Sequence, residues 1–247
     1  MPAERDDQQP AAPPERLIRQ RVRRTPTKTG VLLSPDLIAD TAMRLIAERG
    51  GEGLSVRSLG AALGTSPTAI YRHFATMDDL LLELADRLIG LGIEGFEPGP
   101  DWRADLLELA QRARRVYLDH PRLAMLVAAR TTGRPNEARV IELILGVLRT
   151  AGFDGDQAVR HYRTYGDMVL AFAAADSGFA ALPEGLRRAD RARWAANHAN
   201  VDPGTHPNMT ALAPALIANA DIESFEAAVT LFIEALSAQL DRQATRA

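Results

Sequence analysis

The stretch Gly64–Phe74 gathers side chains that can read a polar surface. At about 100° per residue, Pro67, Ile70 and Phe74 fall on one side of a short helix. Thr68 and Arg72 centre the opposite side, flanked by Ala69 and Tyr71. A guanidinium can grip guanine with two hydrogen bonds, and a threonine or alanine can touch a thymine methyl. Tyr71 reads either as a contact or as a half-buried core residue. His73 leans toward the packed side, so a structural role competes with a contact.

Other chemistries have less support. The chain has no cysteine, which excludes a disulfide scaffold and a thiolate nucleophile or ligand. Its five histidines (His73, His120, His161, His198 and His206) show no paired metal spacing. No nucleophile elbow, phosphate loop or zinc-helix motif occurs, so an all-α enzyme is the weaker alternative. No metal and no cofactor is expected. Polar residues that interrupt apolar helices include His120, Arg130, His161, Tyr162, Tyr165, Asp167 and Asp176; Trp194, Asn197, His198, His206 and Asn208 lie beyond them. A few such groups converging in an apolar cavity would suit a small organic effector. His120, His161, Tyr162, Tyr165, Asp167 and Trp194 are the candidate contacts, each with a surface or core role as the competing reading.

The elements that must position these residues are helices. Ser34, Pro35 and Asp36 open the first, and Ile38, Ala42, Leu45 and Ile46 line its inner face. Ser55 caps a second helix with Val56, Leu59 and Leu63 inside, and Gly64 ends it. Ser66 and Pro67 open a third that Phe74 closes. Thr76 with Asp79 resembles a capping box for a fourth, over 77–91. Two short helices with a two-residue turn between them have the shape of a helix-turn-helix. Further helices are expected from Asp101 to near Leu118, after Pro121, over 135–150, over 156–181 and over 221–241. Between the last two, Pro183, Pro203, Gly204, Pro207 and Pro214 predict an irregular stretch. No period-two strand stands out, and the fold is read as all-α.

The helices at 156–181 and 221–241 are apolar on more than one side, which is normal for a helix buried on two sides. Val169, Ala173, Phe225, Val229, Phe232 and Leu236 are candidates for a four-helix interface between two copies. Burial within a single protomer is the competing reading.

Charge is unevenly spread. The 247 residues carry a net charge of −3, and residues 34–77 hold four arginines and four acids. Residues 16–28 hold Arg16, Arg19, Arg21, Arg23, Arg24 and Lys28 and no acid. This run reads either as a solvated tail or as a basic arm tracking phosphates through Arg21, Arg23, Arg24 and Lys28. No apolar run reaches the roughly 18 residues that cross a bilayer. The first 30 residues lack the apolar core of a signal peptide. A cytoplasmic protein without membrane contact is expected.

The stretch from Leu54 to Leu82, above all Gly64–Phe74 with its Ile70-Tyr71-Arg72-His73-Phe74 ending, resembles the DNA-binding domain of the tetracycline-repressor (TetR) family. The resemblance runs from Ser34 to about Leu91, roughly a quarter of the chain. It implies a homodimer that binds a double-stranded DNA operator and a helical C-terminal domain that binds a small-molecule effector and releases DNA. Repression is the first reading and activation the second. By family position, Ser55 and Arg57 match backbone contacts, and Ser66, Pro67, Thr68, Tyr71, Arg72 and His73 match the recognition segment. Tyr71 and His73 are then expected on phosphates, Thr68 and Arg72 on bases. Two positions depart. Met77 stands where the family usually has a phosphate-touching lysine, and Thr65 replaces an apolar residue. The expected organisation is a disordered basic arm at 1–33, a helix-turn-helix domain with its linking helix at 34–91, and an effector and dimerisation domain at 92–247.

Overall fold

The computed structural model describes residues 32–199, 201–219 and 224–245. Arg21, Arg23, Arg24 and Lys28, and the side chain of His198, lie outside the described residues. Among those residues the chain forms eleven α-helices and one 3-10 turn. Helix α1 (Pro35–Arg49) starts where the serine-proline pair predicts, with Ser34 Oγ accepting from Leu37 N at 3.1 Å. Gly50, at φ 73°, ends it. Helix α2 (Val56–Leu63) follows the 3-10 turn Gly51–Gly53, and α3 (Pro67–Ile70) follows α2. Helix α4 (Met77–Ile93) starts from Thr76, whose hydroxyl accepts from Asp79 N at 2.9 Å. The reciprocal bond of the box is displaced by one residue: Asp79 Oδ2 accepts from Ala75 N at 3.1 Å.

The body is built from α5 (Trp102–Asp119), α6 (Pro121–Val127), α7 (Pro135–Ala151), α8 (Gly155–Ala181) and α11 (Ser224–Ala244). The stretch expected to be irregular contains two helices instead, α9 (Glu184–Ala199) and α10 (Pro207–Ala218). The prolines misled because two of them start helices rather than break them. Pro207 occupies the first turn of α10, and Pro183 O accepts from Leu186 N and Arg187 N at the start of α9. Proline costs little there, because first-turn N–H groups have no helical partner. Helices α9 and α10 pack chiefly against each other, and α10 buries no residue.

Two apolar cores hold the chain together. The first joins Ile38, Leu45, Ile46, Leu59, Ile70, Phe74, Leu80 and Leu84 of α1–α4 to Tyr117, Leu123, Val127 and Ala173 of the body. Leu33, grouped by composition with the arm, is buried in it at 2% exposure. The second core lies within the body, around Trp102, Leu106, Leu148, Phe153, Tyr165, Val229 and Leu236. Each fully buried large side chain contributes about 1.5–3 kcal/mol. The first core therefore ties the helix-turn-helix to α5, α6 and α8, as well as to α4.

Candidate nucleic-acid interface

The reading segment is held from beneath and capped from within. Ser55 and Ser58 cap α2 reciprocally: Ser58 N donates to Ser55 Oγ at 3.0 Å, and Ser55 N donates to Ser58 Oγ at 2.9 Å. The turn needs its glycines. Gly64 sits at φ 62°, ψ 35°, where other residues are strained. A Cβ on Gly60 would lie 3.0 Å from Thr65 O, so α2 and the turn touch through bare backbone. Ala69, Ile70 and Phe74 are buried, which seats α3 on the first core. Regular α-helix covers only Pro67–Ile70. The chain continues through single turns, His73 N donating to Ile70 O at 2.9 Å. Ser66 occupies the cap position without a side-chain cap bond.

Thr68, Tyr71 and Arg72 are exposed on the outer side, with Ser66 and Pro67 beside them and Ser55 and Arg57 exposed at the start of α2. Tyr71 is 46% exposed, so the reading of it as a half-buried core residue is set aside. Ala69 was expected to flank the exposed face. At 6% exposure it belongs to the core instead, because the first core wraps that side of the short helix as well. His73 is half-buried. Burial, and secondarily the Arg72 charge, lowers its pKa, so it stays neutral near pH 7. A neutral imidazole offers a hydrogen bond but no charge to a phosphate. Met77 is half-buried and packs on the first core.

An ion-pair seam that the sequence did not reveal joins this head to the body. Arg130 grips Asp78 with two bonds of 2.8 and 2.9 Å. Arg134 pairs with Asp79 and, at 3.0 Å, with Glu83. Arg87 pairs with Glu83 at 3.2 Å and reaches Asp36 and Asp40 on α1. The hydrogen bonds between them, and secondarily their opposite charges, lower the pKa of Asp78 and raise that of Arg130. Inside the seam Asp86, 5% exposed, caps α7: its carboxylate accepts from Asn136 N at 3.2 Å and Glu137 N at 2.9 Å. Only Glu83–Arg87 is a local i,i+4 pair; the other partners lie 46–55 residues apart in sequence.

The candidate effector contacts do not converge. Tyr165 is buried, and its hydroxyl donates to Leu106 O, so it is spent within the core. His161 stacks edge-on against Phe153 at 4.7 Å, and its Nε2 is buried without a hydrogen-bond partner among the described residues. Burial, then Arg160, lowers its pKa. Tyr162 is half-buried against the second core, and burial raises its pKa. Asp167 is exposed, and Trp194, on α9 rather than in a loop, is 42% exposed. His120 stands apart at the α5–α6 corner, lining a cleft of ≈570 Å³ against α1. Residues spaced along one long helix point in several directions, and interruption of an apolar pattern does not tell which.

Five of the six candidate interface residues are buried in the single protomer. Val169, Phe225, Val229 and Leu236 are buried in the second core and Ala173 in the first. Phe232 is half-buried, its ring 6.1 Å from that of Tyr165. The apolar side chains that α8 and α11 turn outward are Val159, 52% exposed, and Leu231, 66% exposed. Among the described residues, no single helix is long and apolar enough to cross a membrane.

Residues 38–84 match the family "Bacterial regulatory proteins, tetR family", and residues 95–240 match "Tetracyclin repressor-like, C-terminal domain". The chain belongs to the tetracycline-repressor family. A HTH-type transcriptional regulator of Saccharopolyspora erythraea is 32% identical over 151 residues, 61% of this chain and 64% of that protein. The class A tetracycline repressor from an Escherichia coli transposon is 30% identical, over 53% of this chain and 62% of the repressor. The chain thus matches less than two thirds of the length of these curated relatives. Among solved structures, the Streptomyces coelicolor TetR family protein ActR in complex with actinorhodin superposes with a TM-score of 0.73 at 25% identity, covering 84% of this chain and 98% of ActR.

Proposed function

We propose that this TetR-family chain is a sequence-specific DNA-binding transcriptional regulator, a repressor released from its operator by a small-molecule effector. The observation that carries this reading is the exposed Thr68–Arg72 face, seated by the buried Ala69, Ile70 and Phe74. Such a face suits a major groove, with Arg72 and Thr68 on base edges and Tyr71, Arg57 and Ser55 on phosphates. Relatives named as repressors, and a structural neighbour solved with an organic ligand, support the regulatory role over an enzymatic one.

The working unit in this reading is a cytoplasmic homodimer with two heads on half-sites about 34–36 Å apart. The effector shifts the balance only if it binds the DNA-incompetent arrangement more tightly. The seam from Arg130 and Arg134 to the acids of α4 is the route by which a change in the body reaches the head. Gel shift with DNA from upstream of the chain's own gene, at several salt concentrations, tests the reading. A sequence-selective shift that weakens steeply with salt is expected. Equal affinity for that DNA and for random DNA would remove its support.

A further inference from the structure

The cleft beside His120 has features that suit a ligand. Its ≈570 Å³ lie between α1, the α5–α6 corner and the α8–α9 corner. A second cleft of ≈680 Å³ continues along α1, and the two share Met43 and His120. Volumes of this order hold small organic molecules. Met43, Ala47, Leu123, Ala180 and Ala181 give the cleft apolar walls.

Arg122 decides the chemistry. Its Nη1 donates to Ala47 O and Glu48 O, both at 2.8 Å, and the side chain meets no carboxylate within ion-pair distance among the described residues. These two carbonyls belong to the weakly negative end of α1. Arg187, across the cleft, is engaged by Glu184 and by Ala180 O. Asp119, exposed at the rim, sets a limit, because a second negative charge would be repelled there.

We propose that this cleft binds a largely apolar molecule carrying one acidic group, which Arg122 recognises. A carboxylate or sulfonate bonds a guanidinium roughly twice as strongly as a neutral carbonyl does. The acid therefore draws Arg122 from the end of α1 and loosens the α5–α6 corner from the helix that anchors the reading head. This names a site and a ligand class for the effector; only its consequence for DNA rests on the regulatory reading above.

The test titrates the full chain with anilinonaphthalene sulfonate, an aromatic anion, and with phenylnaphthylamine, the same frame without the sulfonate. Arg122→Gln should weaken the anion at least about tenfold and leave the neutral probe within about twofold. Ala181→Phe should fill the slot and weaken both, its circular dichroism matching wild type. If that variant misfolds, the Arg122→Gln comparison decides alone. Absence of saturable anion binding, or anion binding indifferent to Arg122→Gln, overturns the proposal. Linkage requires the anion and operator DNA to weaken each other by one factor. Arg122-dependent anion binding by a chain that binds no DNA leaves the cleft standing and removes the regulatory reading. The same binding with unchanged operator affinity overturns the effector role.

Discussion

Asp86→Ala should cost about 2–4 kcal/mol of folding stability. The carboxylate is 5% exposed and meets four donors: Asn136 N, Glu137 N, Asn136 Nδ2 and the Thr132 hydroxyl. Two of these keep a partner when it is removed. Asn136 Nδ2 still reaches Asp86 O at 3.2 Å, and Thr132 Oγ1 still reaches Glu137 Oε2 at 3.2 Å. The two main-chain N–H groups at the start of α7 have no such alternative. An orphaned buried donor costs about 1–3 kcal/mol, and the partial burial of this pair places each near the lower half of that range. Loss of the negative charge at a helix N-terminus adds to it. Asp86→Asn keeps one acceptor and should lose about half as much. Urea unfolding of wild type and both variants at equal protein concentration measures this, since any self-association makes stability concentration-dependent. A melting midpoint lower by roughly 2–4 °C per kcal/mol is the thermal counterpart. Asp86→Ala within about 1 kcal/mol of wild type would refute the view that this carboxylate holds α7 to the linking helix.

Arg72→Ala should lose discrimination between operator and random DNA, by about 1–3 kcal/mol, more than it loses non-specific affinity; parallel losses on both DNAs would make Arg72 a phosphate contact. Deleting residues 1–28 should lower the log–log salt slope of binding by roughly one for each phosphate contact removed; an identical slope means that the arm only solvates. Leu231→Asp, at a 66% exposed position, should give folded protomers with impaired association in sedimentation, whereas Leu236→Asp, 3% exposed, should unfold the chain. Folded dimers from Leu231→Asp would take α11's outer face out of the interface. His161 and His73 have pKa values lowered from 6.5, chiefly by burial. The folded state therefore binds fewer protons than the unfolded one, and stability falls as pH drops from 6.5 through the folded pKa values. His161→Phe should remove part of the loss in melting temperature between pH 7.5 and 5.5; an unchanged pH dependence would show that the imidazole titrates normally.

The head was legible in the sequence because its determinants are local. Ser34, Ser55 and Thr76 cap helices within three residues of themselves, and Gly64 turns the chain at its own φ. The inner face of α1 is a three- and four-residue repeat. Proline carried less information than it seemed to. Pro183 and Pro207 start helices, yet a proline also breaks them, and only neighbouring contacts tell which.

What remained hidden depends on pairs distant in sequence. Arg130 and Asp78 are 52 positions apart, and Asp86 and Glu137 are 51 apart. An isolated charge in a sequence names no partner. Apolar stripes were ambiguous for a related reason: Val229 and Leu236 announce burial, but burial against their own protomer and against a second copy has the same hydrophobic signature. By itself the sequence determined the helical class, the helix-turn-helix and the outward face of Thr68 and Arg72, since each follows from spacing and capping within one or two turns. The tertiary structure alone decided that Ala69 and the α11 stripe face inward, that arginines of the body clamp α4, and that Arg122 closes a cleft against α1, because those are choices among surfaces that only packing brings together.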